Sequence, residues 1–138
     1  MIIAIRISGL VEVDSKINDA LSRMRLRRKY SAVLLKETPE NMKLLQKVRN
    51  FIAYGDIDEE TLSMLIEKRG KPTNNKKIDV KFVVEQLKKK DLSDLDVKPF
   101  FRLHPPKGGI DSKLHFSVGK GVLGDNKGKI NDLVRRML

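Results

Sequence analysis

Arg23, Arg25, Arg27, Arg28 and Lys29 place five cations within seven residues, and no acid lies between Asp19 and Glu37. Such a run suits phosphate binding, because a planar guanidinium donates two parallel hydrogen bonds to phosphate oxygens. A solvated basic loop is the plainer reading. Crowded like charges without a counterion oppose folding, however, which favours a polyanionic partner. A second cationic stretch spans residues 98–129: Lys98, Arg102, Lys107, Lys113, Lys120, Lys127 and Lys129 against Asp111 and Asp125, a local balance of +5. Near its start stands Phe100-Phe-Arg-Leu-His-Pro-Pro-Lys-Gly-Gly109, in which His104 adds a titratable group and no carboxylate appears. Pro105 and Pro106 fix their own φ and push the residue before each into extended backbone. Glycines at 108, 109, 119, 121, 124 and 128 would let the main chain approach phosphates closely. The lysines at 88–90 also count as candidates, although a cluster at a helix end is more often solvated.

Other spacings suggest chemistry and do not sustain it. Gly119-Lys-Gly-Val-Leu-Gly124 fits the dinucleotide-binding pattern, but that fingerprint needs a helix, a further strand and an acid about 20 positions on. Only 14 residues follow Gly124. Asp56, Asp58, Glu59 and Glu60 are explained by a helix N-terminus, which attracts carboxylates. His104 and His115 lie eleven residues apart with no acid placed to complete a zinc site. With no cysteine and no serine-centred triad, no reaction type can be assembled, and neither a metal nor a cofactor is expected.

Composition sets the class of partner. The 138 residues carry 29 Lys+Arg and 18 Asp+Glu, a net charge of +11. Such a chain is drawn to RNA, DNA or an acidic membrane surface. The hydrophobic share of 40% argues against wholesale disorder. Aromatics are few and Trp is lacking, so stacking on unpaired bases is not the obvious mode of recognition. Structured RNA read through shape, phosphates and 2′-hydroxyls fits better. No apolar run approaches the roughly 20 residues of a membrane helix, and the N-terminus lacks the basic n-region of a signal peptide. The expectation is a cytosolic protein that does not homo-oligomerise.

The elements that must position these groups follow from pattern. Residues 2–7 read as an opening strand. Asp14 or Ser15 caps a helix with Ile17, Ala20, Leu21 and Met24 at 3–4 spacing. Residues 31–37 form a second strand. Thr38-Pro39-Glu40 starts a second helix, whose stripe is Met42, Leu45, Val48 and Ile52. A third strand covers part of 51–54. This is an α+β core, strand-helix-strand-helix-strand, with both helices on one face. Beyond it, Asp58 caps a helix bearing Leu62, Leu65 and Ile66, and residues 71–77 form a polar linker. Asp79 caps another helix, bearing Phe82, Val83 and Leu87. A basic loop region holds a short strand near 114–118. Asp125 or Asn126 starts a last helix whose stripe is Ile130, Leu133, Val134 and Met137. If the first helix ends near Met24, most of the 23–29 run lies on the loop entering the second strand.

Leu26-Arg27-Arg28-Lys29, Thr38-Pro39-Glu40-Asn41-Met42 with Lys47-Val48, and Ala53-Tyr54-Gly55 followed by Glu59-Glu60-Thr61-Leu62 together form an ordered set of motifs. With Arg102-Leu-His-Pro-Pro-Lys-Gly-Gly109, residues 119–124 and residues 130–137, the set resembles the large-subunit ribosomal protein thirty family. The form resembled is the long archaeal type, related to eukaryotic large-subunit protein seven. The matching features run from about residue 2 to 137. The resemblance implies a three-stranded antiparallel sheet with two helices on one face, ferredoxin-like, in residues 1–57. Residues 58–138 would be a mostly helical, loop-rich extension packed on or near that core. It implies a structural constituent of the large ribosomal subunit that binds and bridges 23S-type ribosomal RNA, without catalysis. The 5S-type RNA and neighbouring subunit proteins stay open as further partners. The competing readings are a basic RNA-processing or RNA-modifying enzyme and a DNA-compacting protein.

Overall fold

The opening run Ile-Ile-Ala-Ile-Arg-Ile has no polar alternation, as expected of a strand covered on both faces. In the computed structural model it is β1 (Ile2–Arg6), and all five of its residues are buried. The structure describes residues 1–7, 14–49, 51–72, 77–87, 89, 95, 97–98, 100–105, 112–115, 121–125 and 127–138. The elements after β1 are α1 (Ser15–Arg23), β2 (Ser31–Leu35), α2 (Pro39–Lys47), β3 (Ile52–Asp56), α3 (Glu59–Arg69) and α4 (Val80–Gln86). There follow β4 (Phe101–Arg102), β5 (Ser112–His115), β6 (Gly121–Asp125), a 3₁₀ turn (Lys127–Lys129) and α5 (Ile130–Met137).

Because side chains alternate along a strand, β1 feeds two separate cores. Ile2 and Ala4 pack with Leu21, Leu26, Val33, Leu45 and Ile52 under α1 and α2. Ile3, Ile5 and Ile7 point the other way, to Leu65 and Ile66 of α3 and to Ile130, Leu133, Val134 and Met137 of α5. Each fully buried isoleucine contributes about 1.5–3 kcal/mol, so both layers stabilise the same strand. The apolar stripe of α5 thus docks on the body of the chain.

β1 pairs antiparallel with β2 and β3, with Ile3 opposite Leu34 and Gly55. That α+β arrangement is the expected one, but among the described residues the sheet has six strands, in the order β4-β2-β1-β3-β6-β5. The two exposed edges of a three-stranded sheet would leave backbone groups unpaired. Here β4 pairs antiparallel with β2 on one side, and β6 runs parallel to β3 on the other. Several expectations are corrected accordingly. Residues 121–125 form a strand, not a loop, because pairing with Ala53 and Tyr54 overrides the poor strand propensity of glycine. The last helix begins at Ile130, since Asp125 closes β6; Asn126 lies outside the described residues. Ile52 belongs to β3 and not to the α2 stripe. Phe82 is 52% exposed, although Val83 and Leu87, one turn apart, are buried.

The starts of α2, α3 and α4 are as the sequence suggests. Thr38 Oγ1 accepts from the Asn41 N–H at 3.2 Å, with Pro39 at the first helical position. Asp58 Oδ1 accepts from the Thr61 N–H at 2.7 Å, and Asp79 Oδ1 from the Phe82 N–H at 3.3 Å.

Candidate nucleic-acid interface

The first basic run is shaped by how α1 ends. Leu26 N–H donates to the Leu21 carbonyl at 2.8 Å, and Arg25 N–H donates to the Ser22 carbonyl at 3.0 Å. These are the two bonds of a Schellman motif, whose left-handed position is usually glycine. Here that position is Arg25, at φ 64°. Leu26 and Leu21, both fully buried, make the apolar contact that accompanies the motif. Leu26 therefore points inward, while Arg25, Arg27 and Arg28 are exposed.

The loop is then clamped to β1. Arg6, only 1% exposed, shares the parity of Ile2 and Ala4, which puts its side chain on the α1 face. Its guanidinium donates to the Leu26 carbonyl at 2.8 Å and to Asn18 Oδ1 at 3.1 Å. Burial pushes the Arg6 pKa below its ordinary value, yet an arginine stays charged at any physiological pH. The Arg6 carbonyl in turn accepts from the Tyr30 N–H at 2.7 Å, and Ser31 N–H donates to the Arg28 carbonyl at 3.2 Å. Tyr30 is also left-handed, at φ 66°.

The extension reaches this loop through β4. Ser31 pairs with Arg102 and Ala32 with Phe101, and Leu103 N–H donates to the Tyr30 carbonyl at 3.0 Å. Phe101 is buried in the core shared with α3 and α5, whereas Phe100 lies half-buried against the α1–α2 core. Alternation then carries Arg102 to the same side as Phe100. The outcome is a cleft of about 290 Å³ lined by Arg25, Arg27, Arg28, Ser31, Phe100 and Arg102. Among the described residues none of these four arginines forms an ion pair. Four guanidinium groups around one cleft can hold phosphate, and in isolation they repel one another.

The other sequence-predicted residues are distributed elsewhere. Arg23 is exposed in the last turn of α1, where it complements the helix dipole. Lys29 sits with its Nζ 5.1 Å from the centroid of the Tyr30 ring. His104 is exposed, and its backbone N–H donates to the Met137 carbonyl at 2.9 Å. Lys113 lies on β5, the strand at the edge opposite β4. Lys127 and Lys129 bound the 3₁₀ turn beside β3, at the far end of that strand from the cleft. Lys107 and Lys120 lie outside the described residues, as do Lys88 and Lys90, while Lys89 is exposed. The 98–129 stretch thus sends Arg102 to the cleft and other cations to the opposite edge. Arg6, Ser31 and Phe100 were not singled out from sequence. Arg6 did leave a signal, as a lone cation inside an apolar strand.

The acidic cluster is structural. Asp58 caps α3, and its hydrogen bonds to Thr61, aided by Arg135, hold its carboxyl below the usual range. Arg135 lies 4.0 Å from Asp58 and 3.7 Å from Glu60, and its Nε donates to Thr61 Oγ1 at 3.3 Å. Asn131 Nδ2 donates to the carbonyls of Asp56 and Gly128, and Asn131 Oδ1 accepts from the Asp58 N–H. These contacts tie α5 to the end of β3. No group of three or more metal-ligating side chains occurs among the described residues, and no helix there is long and apolar enough to cross a membrane.

Comparison with known proteins gives concordant results. The family described as "Ribosomal protein L30p/L7e" matches residues 2–52. The large ribosomal subunit protein uL30 of Methanobrevibacter smithii is 39% identical over an alignment covering 100% of both chains. The uL30 of Methanococcus maripaludis is 37% identical over 97% of each chain, and that of Archaeoglobus fulgidus 37% over 99% of each.

Proposed function

We propose, from the premise that this chain belongs to the ribosomal protein L30p/L7e family, that its four-arginine cleft docks on the RNA of the large ribosomal subunit. The chain is of the archaeal type, is a structural constituent of that subunit, and is not an enzyme. The RNA-modifying alternative finds no support in that family. Its place of work is accordingly the cytoplasmic ribosome.

One observation carries the cleft proposal. Arg102 comes from a segment more than 70 residues away from Arg25, Arg27 and Arg28, yet β4 seats it in the same cleft. An arrangement that gathers like charges, with no ion pair to them among the described residues, is costly unless an anion fills it. Residues 1–57 supply the loop and residues 58–138 supply β4, so both parts of the chain are needed. Lys113, Lys127 and Lys129, near the other edge of the sheet, would meet a second RNA segment. This supports a bridging role, since phosphates repel until cations come between them. The 5S-type RNA or a neighbouring subunit protein is a candidate at that second edge.

Mass spectrometry across sucrose gradients of native lysate, at moderate and high salt, tests the role. The chain should appear near one copy per large subunit and stay after the salt wash. The Arg27→Ala/Arg28→Ala/Arg102→Ala chain should be depleted from the subunit peak while remaining folded. Full occupancy by that variant would refute the cleft as the docking site.

A further inference from the structure

We propose that the cleft holds one unpaired nucleobase of the RNA against the ring of Phe100, in addition to phosphates. The proposal rests on the RNA reading above and deepens it. The chain has only five Phe and no Trp, yet one of those rings stands in the wall of the cleft beside the guanidinium groups. Phe100 is half-buried and packs against the α1–α2 core. Its neighbour Phe101, 1% exposed, is anchored in the other core and fixes the backbone. The ring therefore has one side held by apolar contacts and another open to the cleft. A surface ordered in this way can stack a base without further loss of side-chain freedom.

Size argues in the same direction. At about 290 Å³ the cleft falls just below the roughly 300–1,000 Å³ of pockets for drug-sized ligands. A single base fits such a space and a duplex does not. Paired RNA would reach the arginines through phosphates at the rim and leave Phe100 in water. Unpaired RNA bases are held by stacking on aromatic rings and guanidinium planes, with hydrogen bonds to their edges. Arg25, Arg27, Arg28 and Arg102 can supply both the planes and the donors, and Ser31 supplies a hydroxyl.

The test uses whole large subunits carrying the native chain, Phe100→Leu or Phe100→Tyr, with base-reactive reagents (dimethyl sulfate and a carbodiimide). Leucine keeps the apolar contact with the core and removes the ring, while tyrosine keeps the ring. One base protected in native subunits should gain reactivity about fivefold or more in Phe100→Leu subunits, because stacking shifts the bound-to-free ratio by at least about that factor. Phe100→Tyr should restore the protection. A folded Phe100→Leu chain that fails to enter subunits while Phe100→Tyr enters would equally support the need for the ring. Unchanged reactivity at every unpaired base, with equal copies of Phe100→Leu and native chain, would overturn the proposal. If Arg27→Ala/Arg28→Ala/Arg102→Ala is then depleted from subunits, phosphate docking stands without the base. If it is retained in full with unaltered backbone footprints, the phosphate reading falls too.

Discussion

Replacing Arg27, Arg28 and Arg102 with alanine should change the salt dependence of subunit binding far more than the stability of the chain. Each guanidinium that neutralises a phosphate releases counterions and adds about 0.7–0.9 to the slope of log K against log salt. The cleft holds four such groups, so its share of the slope is about 2.8–3.6. Between 50 and 200 mM salt that share weakens binding about 50- to 150-fold, whereas the one arginine left in the triple variant accounts for only about threefold. The assay is rebinding of labelled chain to large subunits depleted of it, across that salt range. The slope should fall by about 2–2.7. Thermal stability should hold or rise slightly, because the side chains are exposed and removing like charges relieves repulsion. An unchanged slope with weaker binding would mean that the arginines act through the fold and not through phosphate, and would refute the reasoning.

Arg25→Gly separates strain from binding: relief at φ 64° should stabilise the chain by about 0.5–1 kcal/mol in denaturant titration, while the slope drops by about one contact. Arg6→Met should cost about 2–3 kcal/mol, because a charged hydrogen-bonding group is lost and the Leu26 carbonyl is left without that donor; hydrogen exchange should quicken around residues 24–30. Asp58→Ala should cost about 1 kcal/mol at neutral pH as a lost helix cap. The Asp58 carboxyl is held below its ordinary 3.8, so its contribution is complete above that value and fades as pH falls through the lower folded pKa. Urea titrations of native and Asp58→Ala chains should accordingly converge only in acid, and a difference that persists there would count against the cap.

The elements legible in the sequence are those with local signatures. Thr38-Pro39 and the capping aspartates at 58 and 79 mark helix starts because the cap bond spans only three residues. The break at Met24 was legible because the 3–4 spacing runs out there. What escaped depends on distant pairing. Two residues of β4 carry no period of their own, and only Ser31 and Ala32 on β2 make them a strand. Gly121–Asp125 looked like a loop because two of its five residues are glycine, and it becomes a strand by lying beside β3. The candidate site divides along the same line. Arg25, Arg27 and Arg28 were visible as a cluster, whereas their union with Arg102 and Phe100 required the sheet edge. Phe82 shows a different limit: composition groups it with Val83 and Leu87 on one helix, but it lies one position off their line and stands exposed.

Cryo-electron microscopy of the native large subunit, refined around this chain, is the most direct test of the central claim. Ribosomal RNA phosphates should lie within about 4 Å of at least three of Arg25, Arg27, Arg28 and Arg102. A cleft that faces solvent or another protein, with its arginines distant from any phosphate, would contradict it.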